Sequence, residues 1–78
     1  MTEVATGLPP GWEYSKGERC IVSKHLEDFK YAEIRYEPDS KFGWDYALYI
    51  VNRDGPTCEE RQSRHGDLTK ALRAGNTL

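Results

Sequence analysis

The chain has 78 residues, 37% of them hydrophobic, and a formal net charge of −2. A chain this short predicts one domain that buries only about 60% of the surface of its unfolded state, which argues against a large enclosed active site. No apolar run approaches the roughly 20 residues that cross a bilayer. The charge is uneven, with six acids against three bases from His25 to Ile50 and four bases against one acid from Arg61 to Leu78.

The N-terminal residues and the cysteines together predict a cytoplasmic protein. Met1 to Ala5 has neither the basic start nor the apolar stretch of a signal peptide. Two cysteines, Cys20 and Cys58, are too few for the disulfide framework of a small secreted domain, and in a reducing cytosol they remain thiols.

The first third of the chain predicts a disordered lead-in followed by two short strands. Residues 1–7 have no periodicity and little bulk, so we expect the folded domain to span residues 8–78. Trp12 to Ser15 predicts a short strand. Lys16-Gly17 turns it into a second strand over Arg19 to Lys24, where β-branched residues favour an extended backbone.

Two longer segments predict the main strands of a sheet. Apolar and polar positions alternate in Phe29 to Glu37, as expected of a half-buried strand. Every even-numbered position from Phe42 to Val51 is apolar, which predicts the central strand. The turn residues Pro38-Asp39-Ser40 separate the two segments, and Asp54-Gly55-Pro56 ends the second.

The end of the chain predicts an edge strand and a helix. Thr57 to Arg64 is ambiguous because its first four residues match a helix capping box, and we favour a ragged edge strand. Asp67 can cap a helix that Gly75-Asn76 stops. The apolar residues of this helix fall on one face: Leu68, Ala71 and Leu72. The order of elements predicts an α+β domain, with a small antiparallel sheet of three to four strands and one short C-terminal helix packed on one face.

The stretch Leu8-Pro9-Pro10-Gly11-Trp12-Glu13 resembles the first six residues of a WW domain. That family is a three-stranded sheet that binds proline-rich peptides, and the resemblance implies the same fold and partner. The family has a second Trp about twenty residues further on, whereas the next Trp here is Trp44, so the resemblance covers these six positions only.

The same opening is similar to that of the methyl-CpG-binding domain, which crosses a small sheet through a Tyr-rich strand and closes with a helix. Asp45 to Tyr49, then Asp54-Gly55, then Leu68 to Leu72 follow in that order. The DNA-reading arginines of that family have no clear counterpart between Glu13 and Glu33. The two prolines therefore predict a stiff lead-in that delivers Trp12 to the margin of a sheet.

One set of thiols and imidazoles has the residue types of a metal site or a nucleophilic centre. Its spacings, C-x4-H and C-x6-H, match no tight zinc knuckle, which usually takes two ligands from a C-x2-4-C turn. No segment supplies an oxyanion hole or a phosphate-binding loop. We therefore predict no metal, no cofactor and no catalytic activity for this set: Cys20, His25, Cys58 and His65.

Aromatic residues give the strongest functional signal. Six rings fall within the nineteen residues from Tyr31 to Tyr49, more than so small a core can enclose. The rings either compensate for a thin core or form a binding surface for another protein. We predict a small non-catalytic protein-binding module, an inhibitor or adaptor, whose acidic middle steers it towards a basic surface. The predicted partner-binding residues are Tyr31, Trp44, Tyr46 and Tyr49.

Basic residues leave an alternative in which the chain binds nucleic acid through its C-terminal segment. Acids are interleaved with them, so this alternative is the less favoured. The residues concerned are Arg53, Arg61, Arg64, Lys70 and Arg73. In either case we expect a monomer or homodimer that does not enter a membrane.

Overall fold

The computed structural model describes residues 8–15, 20–38 and 41–78. Its elements are β1 Trp12–Tyr14, β2 Cys20–Glu27, β3 Lys30–Tyr36, β4 Tyr46–Asn52, β5 Cys58–His65 and α1 Leu68–Gly75. The strands form one antiparallel sheet in the order β1-β2-β3-β4-β5, against which α1 packs. The predicted α+β class is confirmed, and the sheet has more strands than the three to four expected. The predicted lead-in over residues 1–7 and the turn residues Lys16, Gly17, Asp39 and Ser40 lie outside the described residues.

The middle strand is β3, which pairs with β2 on one side and β4 on the other. Its alternation was predicted correctly, because Ala32 and Ile34 are fully buried against α1 and its neighbours. We call this side of the sheet the helix face. The other side, the open face, carries Glu33 and, directly opposite it on β4, Tyr49.

The prediction of a central strand from Phe42 to Val51 is wrong at its start and in its position. The strand begins only at Tyr46, and β4 lies second from the edge of the sheet. Gly43 has φ +71°, a left-handed conformation that interrupts extended backbone. Phe42 and Trp44 therefore leave the sheet, although their spacing matches that of the strand residues.

The ambiguous segment is the edge strand β5, as favoured from the sequence, and not a helix. It pairs with β4 along its length, but Leu48 lies opposite Ser63 and Tyr49 opposite Arg61. Gln62 is therefore an extra residue in β5 and forms a bulge. Charged residues and a bulge on an edge strand both discourage pairing with further strands.

The predicted C-terminal helix is confirmed. The Asp67 side chain accepts a hydrogen bond from the backbone N–H of Lys70 at 2.8 Å, which caps the first turn. The helix contacts β3, β4 and β5, and Ala71 and Leu72 are buried against them. Eight residues are too few for a stable isolated helix, so this packing holds it in place. No helix within the described ranges is long and apolar enough to span a membrane.

Trp12 closes the core at the margin of the sheet, as its position after the two prolines predicted. It lies on the edge strand β1 and is only 5% exposed. The buried core cluster combines it with residues from β2, β3, β4 and α1: Val22, Ala32, Ile34, Leu48, Ala71 and Leu72.

Candidate functional site

The open face is covered by ion pairs instead of a second helix. Glu33 is 5% exposed, and its two carboxylate oxygens accept hydrogen bonds from Arg35 and Arg53, each at 3.0 Å. Beside them, Ala47 and Val51 are buried although no helix in the described part of the chain covers this side. The long side chains of the ion pairs therefore shield the apolar residues of β4 from water.

Two of the predicted partner-binding residues, Tyr31 and Tyr49, belong to this charged layer. The Arg35 guanidinium lies 4.3 Å from the Tyr49 ring centre, and that of Arg53 lies 5.3 Å from the Tyr31 ring centre. The Tyr49 hydroxyl donates to the Glu37 carboxylate at 2.8 Å. Both rings are half-buried and already have partners within the chain.

The titration of this layer follows from its contacts. Burial and the hydrogen bond to Glu37 raise the pKa of Tyr49, so its phenol stays neutral. The hydrogen bond from Arg35 to Glu59, at 2.9 Å, lowers the pKa of Glu59 and raises that of Arg35. Arg35 and Glu59 are therefore oppositely charged partners at neutral pH.

The end of the sheet where β3 leads into β4 carries two aromatic pairs. Tyr36 and Tyr46 lie opposite each other on the two strands, with ring centres 5.5 Å apart. Phe42 and Trp44, on the connection between those strands, have ring centres 5.6 Å apart and are 67% and 52% exposed. We call these four residues the aromatic tip.

The connection that carries the tip is held at both of its ends. The backbone N–H of Glu37 donates to the Asp45 carbonyl at 2.7 Å, which extends the β3–β4 pairing beyond the strands. The Arg64 guanidinium, reaching over from β5, donates to the Glu37 carbonyl at 2.6 Å and to the Trp44 carbonyl at 3.0 Å. The connection is therefore tied to a strand that is not its neighbour in sequence.

The predicted partner-binding residues do not share one surface. Trp44 and Tyr46 belong to the aromatic tip, whereas Tyr31 and Tyr49 lie on the open face. Tyr46 and Tyr49 are three residues apart on one strand, so they point to opposite faces. Tyr36 and Phe42 were counted among the rings but were not predicted as site residues. Their signal in the sequence is the symmetrical placement of Tyr36 and Phe42, each two residues from the predicted turn over residues 38–40.

The five basic residues of the nucleic-acid alternative are divided between two sides of the molecule. Arg53 pairs with Glu33, and the Arg64 guanidinium donates to backbone carbonyls. Arg61 lies on the open face opposite Tyr49. Lys70 and Arg73 are exposed on α1, which covers the helix face. They form no single basic track along which a phosphate backbone could run.

The thiols and imidazoles considered from the sequence are also separated. Cys20 and His25 lie on β2, while Cys58 and His65 lie on β5, with two strands between. Nowhere in the described parts of the chain do three or more His, Cys, Asp or Glu side chains gather as metal ligands would. Burial raises the pKa of Cys20, which makes its thiol a weaker nucleophile at neutral pH.

Comparisons of this chain with protein-family models, with curated proteins and with solved structures found no match. The resemblances of the LPPGWE stretch to the WW and methyl-CpG-binding domains therefore gain no support as relationships. The predicted partner-binding residues lie on two surfaces, the aromatic tip and the open face.

Proposed function

We propose that this chain is a small non-catalytic protein-binding module that docks through its aromatic tip. The observation that carries the proposal is the exposed, neighbouring ring pair Phe42 and Trp44 on a connection whose ends are hydrogen-bonded to each other and to Arg64 of β5. Trp is enriched among residues that contribute most of the binding energy in interfaces. An exposed ring pair on a held backbone loses little conformational freedom when it is bound.

The shape of the tip supports a partner of a particular kind. Two rings that project beyond the end of a sheet fit a concave apolar pocket, as aromatic anchors do in many interfaces. The connection that carries the tip, residues 37–45, has three acids and one base in its sequence, which favours a pocket with a basic rim. Such a module acts as an inhibitor if the pocket is an active site and as an adaptor if it is not.

Two contrasts favour the tip over the open face. The rings of Tyr31 and Tyr49 are stacked under arginines, so a partner would first have to break contacts within the chain. Those arginines are paired with Glu33 and Glu59, which reduces their attraction for phosphates. The rings of Phe42 and Trp44 are exposed, so a partner can reach them without first breaking such contacts.

The test is affinity capture from the native host with three forms of the protein: wild type, Trp44→Ala and Phe29→Ala. Phe29 is the matched control because it is 55% exposed and precedes β3, at the other end of the sheet. We expect one protein to be retained by wild type and Phe29→Ala and lost with Trp44→Ala. With that protein purified, calorimetry should give an affinity for Trp44→Ala lower by about 30-fold or more.

Equal capture by all three forms, or equal affinities, would contradict the proposal. Self-association is checked by sedimentation: a dimer that Trp44→Ala dissociates would replace the heterologous partner with a second copy of the chain. Oligonucleotide binding that weakens steeply with salt and is lost in Arg61→Ala with Arg73→Ala would favour the nucleic-acid alternative.

A further inference from the structure

We propose that Arg64 is the positioning residue of the aromatic tip: its guanidinium fixes Glu37 and Trp44, near the two ends of the β3–β4 connection, relative to each other before any partner arrives. The inference rests on the proposed function, since it assigns a role to a residue behind the rings. Arg64 is half-buried and belongs to β5, where its backbone lies opposite Ala47. Its side chain reaches along the sheet to a segment that β5 does not otherwise pair with.

Two nitrogens of the Arg64 guanidinium donate hydrogen bonds to the connection. Nη2 donates to the Glu37 carbonyl at 2.6 Å and Nε donates to the Trp44 carbonyl at 3.0 Å. These carbonyls belong to residues on opposite sides of the connection, so one planar group fixes the distance between its two ends. An ammonium group is a point donor on a flexible stem and does not reproduce this fork. Charge-assisted hydrogen bonds are also stronger than those of a neutral amide.

The hydrogen bonds from Arg64 matter because the sequence of the connection favours a flexible backbone. Gly43 stands between the two exposed rings with φ +71°, and apart from its two chain neighbours no atom of the described residues lies within 4 Å of the position that a Cβ would take there. A glycine in open space adds backbone entropy that binding would have to remove. The backbone N–H of Glu37 also donates to the Asp45 carbonyl at 2.7 Å, so the Arg64 side chain adds to a backbone bond that already joins the two ends.

The test measures backbone order in the free protein by ¹⁵N relaxation. We compare wild type, Arg64→Gln, Arg64→Lys and the control Arg61→Gln, which lies on the same strand and the open face. For the amides of Gly43 and Trp44 we expect order parameters of about 0.85 in wild type and the control, and below about 0.6 in both Arg64 variants. Amides of β3 should keep their values in all four proteins.

The proposal is overturned if Gly43 and Trp44 stay ordered in Arg64→Gln, if they are already mobile in wild type, or if order falls equally throughout the sheet. Retention of order in Arg64→Lys would also overturn it, because a point donor would then suffice. Should Arg64→Gln fail to fold, Arg64→Lys decides by the same criteria. These measurements need no partner, so failure of the Trp44→Ala capture would remove the proposed function without changing their result.

Discussion

The indole Nε1 of Trp12 donates a hydrogen bond to the side-chain oxygen of Asn76 at 2.8 Å, joining β1 to the residue that caps the end of α1. The ring lies directly against Gly75, where an added Cβ would be 2.5 Å from Trp12 Cζ2 and 2.7 Å from Cη2. The glycine is therefore required by the approach of the indole, not by an unusual backbone conformation.

Gly75→Ala should destabilise the protein by about 1–3 kcal/mol, because the methyl group overpacks the site. Alanine has the higher helix propensity, by at most about 1 kcal/mol, and this gain is small at the last residue of a helix. Urea denaturation measures the difference. Gly66→Ala is the control, since the nearest described atom outside its chain neighbours would be the Gly43 carbonyl oxygen, at an ordinary 3.7 Å from the added Cβ. In a Trp12→Phe background the smaller ring leaves room, so the same substitution should be milder there; equal effects in both backgrounds would rule out the clash.

Leu72→Ala should lower the free energy of unfolding by about 2–5 kcal/mol, because Leu72 is 7% exposed and belongs to the core under α1. Lys70→Ala and Arg73→Ala, on the exposed side of the helix, should change it by less than about 0.5 kcal/mol. Thermal unfolding of the three variants compares them directly. A silent Leu72→Ala would mean that the helix does not contribute to the stability of the sheet.

Glu33→Gln should destabilise the protein by about 2–3 kcal/mol, because a neutral amide cannot satisfy two guanidinium groups at a buried position. Arg53→Gln should cost less than about 1 kcal/mol, since the Arg53 side chain is 57% exposed and water replaces its partner. Chemical denaturation of both variants tests this asymmetry. Equal losses would show that Glu33 is not effectively shielded from solvent.

Acid should weaken the protein partly through Glu59. Its pKa is lowered in the folded state by Arg35, so the ionised carboxylate stabilises the fold above the ordinary glutamate pKa of about 4.3. That contribution is lost as the pH falls through the lower folded-state value. Urea midpoints between neutral pH and about pH 3 should therefore decline less steeply in Glu59→Gln than in wild type. Glu60→Gln is the control, because Glu60 lies on the other face of β5 and its substitution leaves the pair of Arg35 and Glu59 intact. Its urea midpoints should decline with pH as steeply as those of wild type. Identical slopes for wild type and Glu59→Gln would contradict the assignment.

Local patterns in the sequence predicted the elements whose causes are local. Alternation identified β3, and the capping aspartate with its apolar stripe identified α1, because each pattern reflects one face of one element. The departure of Phe42 and Trp44 from the sheet was missed because their apolar spacing continues that of β4 while the backbone turns away at Gly43. A periodic pattern alone does not show where a strand starts.

The charged layer of the open face could not be predicted, because it depends on the register of three strands. Glu33 and Arg35 are ordinary polar positions of an alternating strand, and such positions usually face water. Glu33 is buried because Arg53 reaches it from beyond β4, while Glu59 on β5 receives Arg35. The same dependence placed Tyr49 beneath Arg35, away from Tyr46 and Trp44.

The strand order also bears on how the native state forms and persists. Each strand pairs with the next one along the chain, so the sheet can grow by successive hairpins without closing long loops. The contact between Trp12 and Asn76 spans nearly the whole chain and can form only after both β1 and α1 are in place. Interactions made after the rate-limiting step slow unfolding without speeding folding. We therefore expect the contact between β1 and the end of α1 to affect the rate of unfolding more than the rate of folding.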